Sequence, residues 1–237
     1  MQPGQTRIFL PGFGARAASY AEGLPSGWLP LQPPPPSVTR GRLDDLVVWL
    51  AEELVRRPRP TIVAGHSMGA ALAILAAARN PHCISRLVLV APAGLPLTKP
   101  VRESAAGLVR QLSTGTHRIR DAADSAAELA AAPRSTFRLI RALRRLDLRE
   151  EMALIRRQGT PVTVIGCDSD TLTPPRHCRD MAELLGGSYR ELRLDGGHVW
   201  MFGRWPSLAN ALESATGSRG TLAVMEAEIV AAAGPRR

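Results

Sequence analysis

Ser67, His198 and one of two neighbouring aspartates, Asp168 or Asp170, have the residue types and the chain order that acyl transfer requires. Ser67 is the centre of Gly65-His66-Ser67-Met68-Gly69, with Thr61-Ile62-Val63-Ala64 before it and a small-residue stretch to Ala78 after it. A β-branched run followed by a helix-forming run predicts a sharp strand-to-helix turn, the nucleophile elbow. The central residue of such a turn takes a positive φ that a β-carbon resists, so the positions two residues away must be small, as Gly65 and Gly69 are. A serine hydroxyl is a weak nucleophile at neutral pH. Pushing its Oγ out of the backbone, beside a histidine and above a helix N-terminus, is one remedy.

The reaction also needs a base, an acid to orient it, and backbone donors for the developing oxyanion. His198 lies in Asp195-Gly196-Gly197-His198-Val199-Trp200, after the last expected strand and on a loop flexible enough to bring an imidazole over the sheet edge. His66 sits inside the pentapeptide, while His82, His117 and His177 have no orienting pattern around them. Asp168 and Asp170 both follow the expected strand Pro161 to Ile165. Asp170, at the end of the loop before the next helix, is the preferred acid, and Asp168 is assigned to capping its own turn. The backbone N–H groups of Met68, directly after the nucleophile, and of Phe13, in the Pro11-Gly12-Phe13-Gly14 loop after the first strand, are the expected oxyanion donors.

These groups need a frame. Short apolar strands are expected at Thr6 to Leu10, Trp28 to Leu31, Thr61 to His66, Arg86 to Val90, Pro161 to Ile165 and Ser188 to Leu194. Helices are expected over Arg42 to Arg56, after Ser67, over Pro175 to Leu185, from Pro206, and over about Thr221 to Ala233. Pro33 to Pro36 reads as a stiff loop. Alternating strands and helices predict an α/β fold with a mostly parallel central sheet covered by helices on both faces. Thr98 to Arg157 is rich in Ala, Leu and Arg with helical periodicity and no strand pattern, and is read as an inserted helical cap. The expected organisation is therefore a core of residues 1–97 and 158–237 with a cap at 98–157.

The bulk numbers agree with one domain of 237 residues carrying a subdomain. No apolar run is long enough to span a bilayer and no signal-peptide pattern opens the chain, so the expected compartment is the cytoplasm. Cys83, Cys167 and Cys178 form no CxxC and suggest neither a disulfide framework nor a zinc site, and His177 beside Cys178 is read as coincidence. The formal net charge is +9, yet Lys99 is the only lysine and the arginines are spread along the chain, which argues for composition rather than nucleic-acid binding. Between Thr98 and Arg157, however, 13 basic residues face 7 acidic ones, a clue to an acidic ligand or partner.

Over about residues 6 to 215 the chain resembles the α/β-hydrolase family. The likeness rests on Gly-His-Ser-Met-Gly-Ala at 65 to 70, Leu-Val-Leu-Val-Ala-Pro-Ala-Gly at 87 to 94, Gly-x-x-x-Asp-x-x-x-Pro-Pro at 166 to 175 and Gly-Gly-His at 196 to 198. The resemblance implies a helical cap inserted before the acid-bearing strand. It also implies a two-step reaction through an acyl-serine, with neither metal nor organic cofactor. Two departures stand out: there is no room before Thr6 for the family's usual antiparallel hairpin, and the loop after the second strand is Pro-rich rather than Asp-x-x-Gly-x-Gly. The short start and the elbow also look like stand-alone thioesterases that clear carrier proteins. Three functions stay open at this level: hydrolysis of a carboxylic ester, hydrolysis of an acyl-CoA or carrier-protein thioester, and ligand reception on the same fold without catalysis. Perhydrolysis and carbon–carbon bond hydrolysis use the same residues.

Overall fold

In each central strand, neighbouring residues feed opposite hydrophobic cores, as the two-residue period of a strand requires. Ile8, Leu10, Val63, Leu87, Leu89, Val162 and Val164 pack into one core, and Phe9, Ile62, Ala64, Val88, Val90, Ile165 and Cys167 into the other. Both faces of the sheet are covered, which is why its middle strands read as unbroken apolar runs. The computed structural model describes residues 5–58, 60–97 and 126–217. The expected helix over Thr221 to Ala233 and the first part of the expected cap, 98–125, lie outside them.

Among the described residues six strands make one parallel sheet: β1 (Arg7–Leu10), β2 (Trp28–Pro30), β3 (Thr61–His66), β4 (Ile84–Val90), β5 (Val162–Cys167) and β6 (Ser188–Leu192). Their spatial order is β2-β1-β3-β4-β5-β6, and every pairing is parallel. The order reverses at β1, which lies between β2 and β3. A crevice therefore opens beyond the carboxyl ends of β1 and β3, where the flanking connections diverge to opposite faces.

The helices follow from apolar spacing. In α3 (Leu43–Val55) the buried residues are Leu46, Val47, Leu50 and Leu54, and Asp44 and Asp45 occupy the first turn, where the helix dipole favours them. In α4 (Met68–Arg79) every residue from Met68 to Ala77 is buried. Its alanines let α3 and the sheet approach closely on either side. Two short helices were not expected: α1 (Ala17–Ala21) and α2 (Pro36–Thr39), the latter starting on the last residue of the proline run. Pro36 is the first helical residue of α2, where a missing N–H costs nothing.

Among the described residues, a helical stretch at 126–131 and two longer helices fall in the segment read as an insertion. The first, α5 (Pro133–Arg145), rests on α2 and buries Leu139 and Leu143. The second, α6 (Arg149–Gln158), packs between α4 and α7 (Pro175–Leu185) and sends Met152 and Ile155 into the main core. The last described helix is α8 (Trp205–Thr216), on the opposite face of the sheet. The sixth strand ends at Leu192 rather than Leu194. The reason is a tertiary one: Leu194 has its N–H taken by Asp168 and its carbonyl by Ser169, so it leaves the ladder.

Candidate active site

Ser67 joins β3 to α4 with φ 52° and ψ −112°, a strained conformation for a residue with a side chain. Such a backbone costs on the order of 1–3 kcal/mol and persists only where its surroundings hold it. Here the Ser67 N–H donates to the Val90 carbonyl at 3.0 Å, and the Ser67 carbonyl accepts from Ala70, Ala71 and Ala93. The two glycines of the pentapeptide are needed for close approach. A β-carbon on Gly65 would lie 2.4 Å from the Gly69 carbonyl carbon, and one on Gly69 would lie 2.3 Å from the Leu10 carbonyl oxygen. The strand before the turn, the helix after it and the end of β1 thus touch backbone to backbone.

His198 reaches Ser67 from 131 residues away, with Nε2 2.9 Å from Oγ. Its Nδ1 lies 2.8 Å from Asp170 Oδ2, and both side chains are almost fully buried. The ring sits on a 3-10 turn (Gly197–Val199) entered through Gly196 at φ 120°. An ionised carboxylate only accepts hydrogen bonds, so Nδ1 carries the proton and Nε2 is left to accept the serine O–H. Burial raises the Asp170 pKa, but the adjacent His198 and the hydrogen bonds from His198 and Thr173 outweigh it and hold the carboxyl below its ordinary range.

Thr173 is a site residue that the sequence reading missed. Its hydroxyl donates to Asp170 Oδ2 at 2.7 Å and stands 3.2 Å from His198 Nδ1. The Leu172 and Thr173 N–H groups donate to Asp170 Oδ1 at 2.8 and 3.0 Å. The carboxylate therefore has partners on both oxygens, and the spacing Asp-x-x-Thr was the available signal. Asp168 has a different post from the one expected. Instead of capping its own turn it accepts the Leu194 N–H at 3.0 Å, tying the end of β6 to the loop after β5.

Phe13 and Met68, the expected oxyanion donors, line one cavity beyond the ends of β1 and β3. Met68 is the first residue of α4, so its N–H has no partner within the helix. The same cavity is lined by Gly12, the run Pro33–Pro36, Leu46, Leu139 of α5, Arg16 and Glu128. The proline run is thus a wall of the cavity as well as a stiff connection.

The other reactive side chains have structural posts. Cys83, Cys167 and Cys178 are free and buried. His177 Nε2 donates to the Pro92 carbonyl at 3.1 Å, and burial pushes its pKa down. Among the described residues no group of His, Cys, Asp and Glu could hold a metal ion, and no helix is long and apolar enough to cross a membrane.

A parallel sheet with its strained serine at the β3–α4 turn, and with a histidine and a buried aspartate hydrogen-bonded behind that serine, defines a class of protein. The chain belongs to the α/β-hydrolase family, whose family model matches residues 8–211. Among solved structures it is similar to Rv0554 from Mycobacterium tuberculosis, at 21% identity and a TM-score of 0.62, covering 92% of each chain. It is also similar to a hydrolase from Pseudomonas aeruginosa PA01, at 20% identity and a TM-score of 0.64, covering 90% of each chain. A third is the N-formylmaleamic acid deformylase from Pseudomonas putida S16, at 18% identity and a TM-score of 0.60, covering 88% of this chain and 92% of that one. At these identities the likeness is one of fold. A comparison with curated proteins finds no match.

Proposed function

We propose that the protein is a serine hydrolase that cleaves a carboxylic ester of a small or medium hydrophobic substrate through an acyl-enzyme. The observation that carries this reading is the hydrogen-bonded chain Ser67 Oγ, His198, Asp170, at 2.9 and 2.8 Å. His198 Nε2 takes the Ser67 proton as Oγ attacks the ester carbonyl carbon. Asp170 holds the ring's tautomer and stabilises the imidazolium. The oxyanion is assigned to the Phe13 and Met68 N–H groups, each such donor contributing about 3–4 kcal/mol to the transition state. His198 then gives its proton to the departing alkoxide. In the second half, water loses a proton to His198, attacks the acyl carbon and releases the acid, and Ser67 recovers its proton. No cofactor enters these steps.

A thioester substrate is the second reading, and one observation favours it. Arg134, Arg138, Arg141 and Arg145 are all exposed on α5, spaced as one stripe along the helix whose Leu139 borders the cavity. Such a stripe suits the phosphates of acyl-CoA or the acidic surface of a carrier protein. A cytoplasmic setting belongs to both readings and is supported by the three free, buried thiols.

The test is a panel of p-nitrophenyl esters and matching acyl thioesters of graded chain length, with Ser67→Ala as the blank. Loss of turnover in Ser67→Ala and labelling of Ser67 by a fluorophosphonate are expected. Ser67→Ala at full activity would refute the nucleophile, and an unlabelled Ser67 in folded protein would favour a ligand receptor. Thioester turnover that falls steeply with salt, against a flat response for the ester, would select the second reading.

A further inference from the structure

His66, the residue before the nucleophile, is buried with its ring beside that of His198, the centroids 4.9 Å apart. Its Nε2 lies 3.0 Å from the His198 carbonyl oxygen. A carbonyl only accepts, so Nε2 carries the proton, and Nδ1 of the neutral ring must be the acceptor. The group at Nδ1 is the Tyr20 hydroxyl, 2.8 Å away, which therefore donates. The Gly12 N–H in turn points at the Tyr20 oxygen, at 3.4 Å. One carbonyl thus sets the direction of every proton from the loop after β1 to the loop that carries the base.

The chain is enclosed. Tyr20 is fully buried, with Phe9 and Phe202 each 4.9 Å from its ring centroid and Trp205 edge-on at 6.3 Å. Gly12 is packed so closely that a β-carbon there would stand 2.7 Å from His66 Nδ1. Burial lowers the His66 pKa to about 3 and raises that of Tyr20, so both stay neutral and add no charge beside the imidazolium that forms on His198.

Resting on the reading of Ser67 as nucleophile, we infer that Tyr20 and His66 are positioning residues for its reaction. Their hydrogen bonds hold the backbone of His198 and the Gly12–Phe13 loop in one frame, so that base and oxyanion donor keep a fixed separation from Ser67 Oγ. Without the tyrosine hydroxyl, His66 is free to move its proton to Nδ1, which turns a lone pair toward the His198 carbonyl and loosens the base.

The experiment combines imidazole ¹⁵N NMR with kinetics on p-nitrophenyl acetate. In the wild type, the His66 proton is expected on Nε2 and not on Nδ1. Tyr20→Phe keeps the ring and is expected to lower kcat about tenfold with KM changed less than about twofold, and to slow fluorophosphonate labelling in parallel. His66→Asn is expected to lose about 10²-fold in kcat, whereas His66→Gln, whose longer amide reaches the His198 carbonyl, recovers most of it. A proton on Nδ1 in the wild type, an unchanged kcat in Tyr20→Phe, or equal losses in the Asn and Gln variants would each overturn the inference. Should Ser67→Ala retain ester turnover, the nucleophile reading fails and the kinetic role with it, while the imidazole resonances still decide whether the hydrogen-bonded chain exists.

Discussion

The Ser169 hydroxyl accepts the Gly197 N–H at 3.0 Å and donates to the Leu194 carbonyl at 2.6 Å, so a single side chain ties the loop of Asp170 to the loop of His198. Asp170 and His198 are each one residue beyond this tie. Ser169→Ala is expected to cut kcat on an ester substrate about tenfold, with KM little changed, because the tie orients the base and touches no substrate. Steady-state kinetics checks it, and a change confined to KM would contradict the role.

Asp170 and Asp168 have different partners in spite of their nearness in sequence, His198 for the first and the Leu194 N–H for the second. Asp170→Asn leaves the shape intact but supplies an amide where Nδ1–H needs an acceptor, and kcat is expected to fall on the order of 10³- to 10⁴-fold. Asp168→Asn keeps an oxygen for the Leu194 N–H and is expected to stay within about threefold of the wild type. Equal losses in the two variants, measured side by side, would remove Asp170 from its assigned role.

Thr173→Val removes the O–H donor on Asp170 Oδ2 without changing the side chain's shape. The wild-type carboxyl titrates below its unfolded value of 3.8, so its stabilisation is complete above that pH and is lost as pH falls through the folded pKa. The variant's folded pKa is higher. Urea unfolding at neutral pH is expected to show a loss of about 1–3 kcal/mol that shrinks toward zero in strong acid.

His66 gives the loss of stability in acid a second source. Its folded pKa of about 3 lies below the unfolded value of 6.5, so between those limits the unfolded chain binds a proton that the native state refuses. Stability is complete above the upper limit and is expected to decline toward the lower one with a slope approaching about 1.4 kcal/mol per pH unit from this group alone. His177, also held low by burial, adds to the same slope. His66→Gln is expected to flatten the profile by one proton's share and leave the His177 share. Equilibrium unfolding across the window measures both.

Gly69→Ala places a methyl group 2.3 Å from the Leu10 carbonyl oxygen and 2.7 Å from that of Pro11, neither of which is a flexible side-chain end. Backbone must shift at the end of β1 or at the start of α4. The expected cost is at least about 2 kcal/mol in the urea unfolding free energy, together with a loss of ester turnover as Phe13 and Met68 are displaced. A stable, active variant would show the elbow to be less tightly held than the distances imply.

Much of this architecture was legible locally. The strand alternation, the spacing of Leu46, Val47, Leu50 and Leu54, and the glycines around Ser67 each encode their outcome within a few residues. The helices α1 and α2 were missed because each is a single turn or little more, too short to show a period. The last strand was read two residues too long because Arg193 and Leu194 look like strand, while their fate rests on Asp168 and Ser169, over 20 residues earlier in the chain.

By itself, the sequence determined the parallel sheet and the strained turn under Ser67, because both follow from apolar periodicity and short-range sterics. The tertiary structure alone put Asp170, and not Asp168, against His198, brought Thr173 and Ser169 to the same loops, and ran a buried hydrogen-bonded line from Gly12 through Tyr20 and His66 to His198. The reason is physical. A buried polar atom must find a partner, but its choice is set by which loops the sheet brings together: Tyr20 and His66 are 46 residues apart, and His66 and His198 are 132 apart.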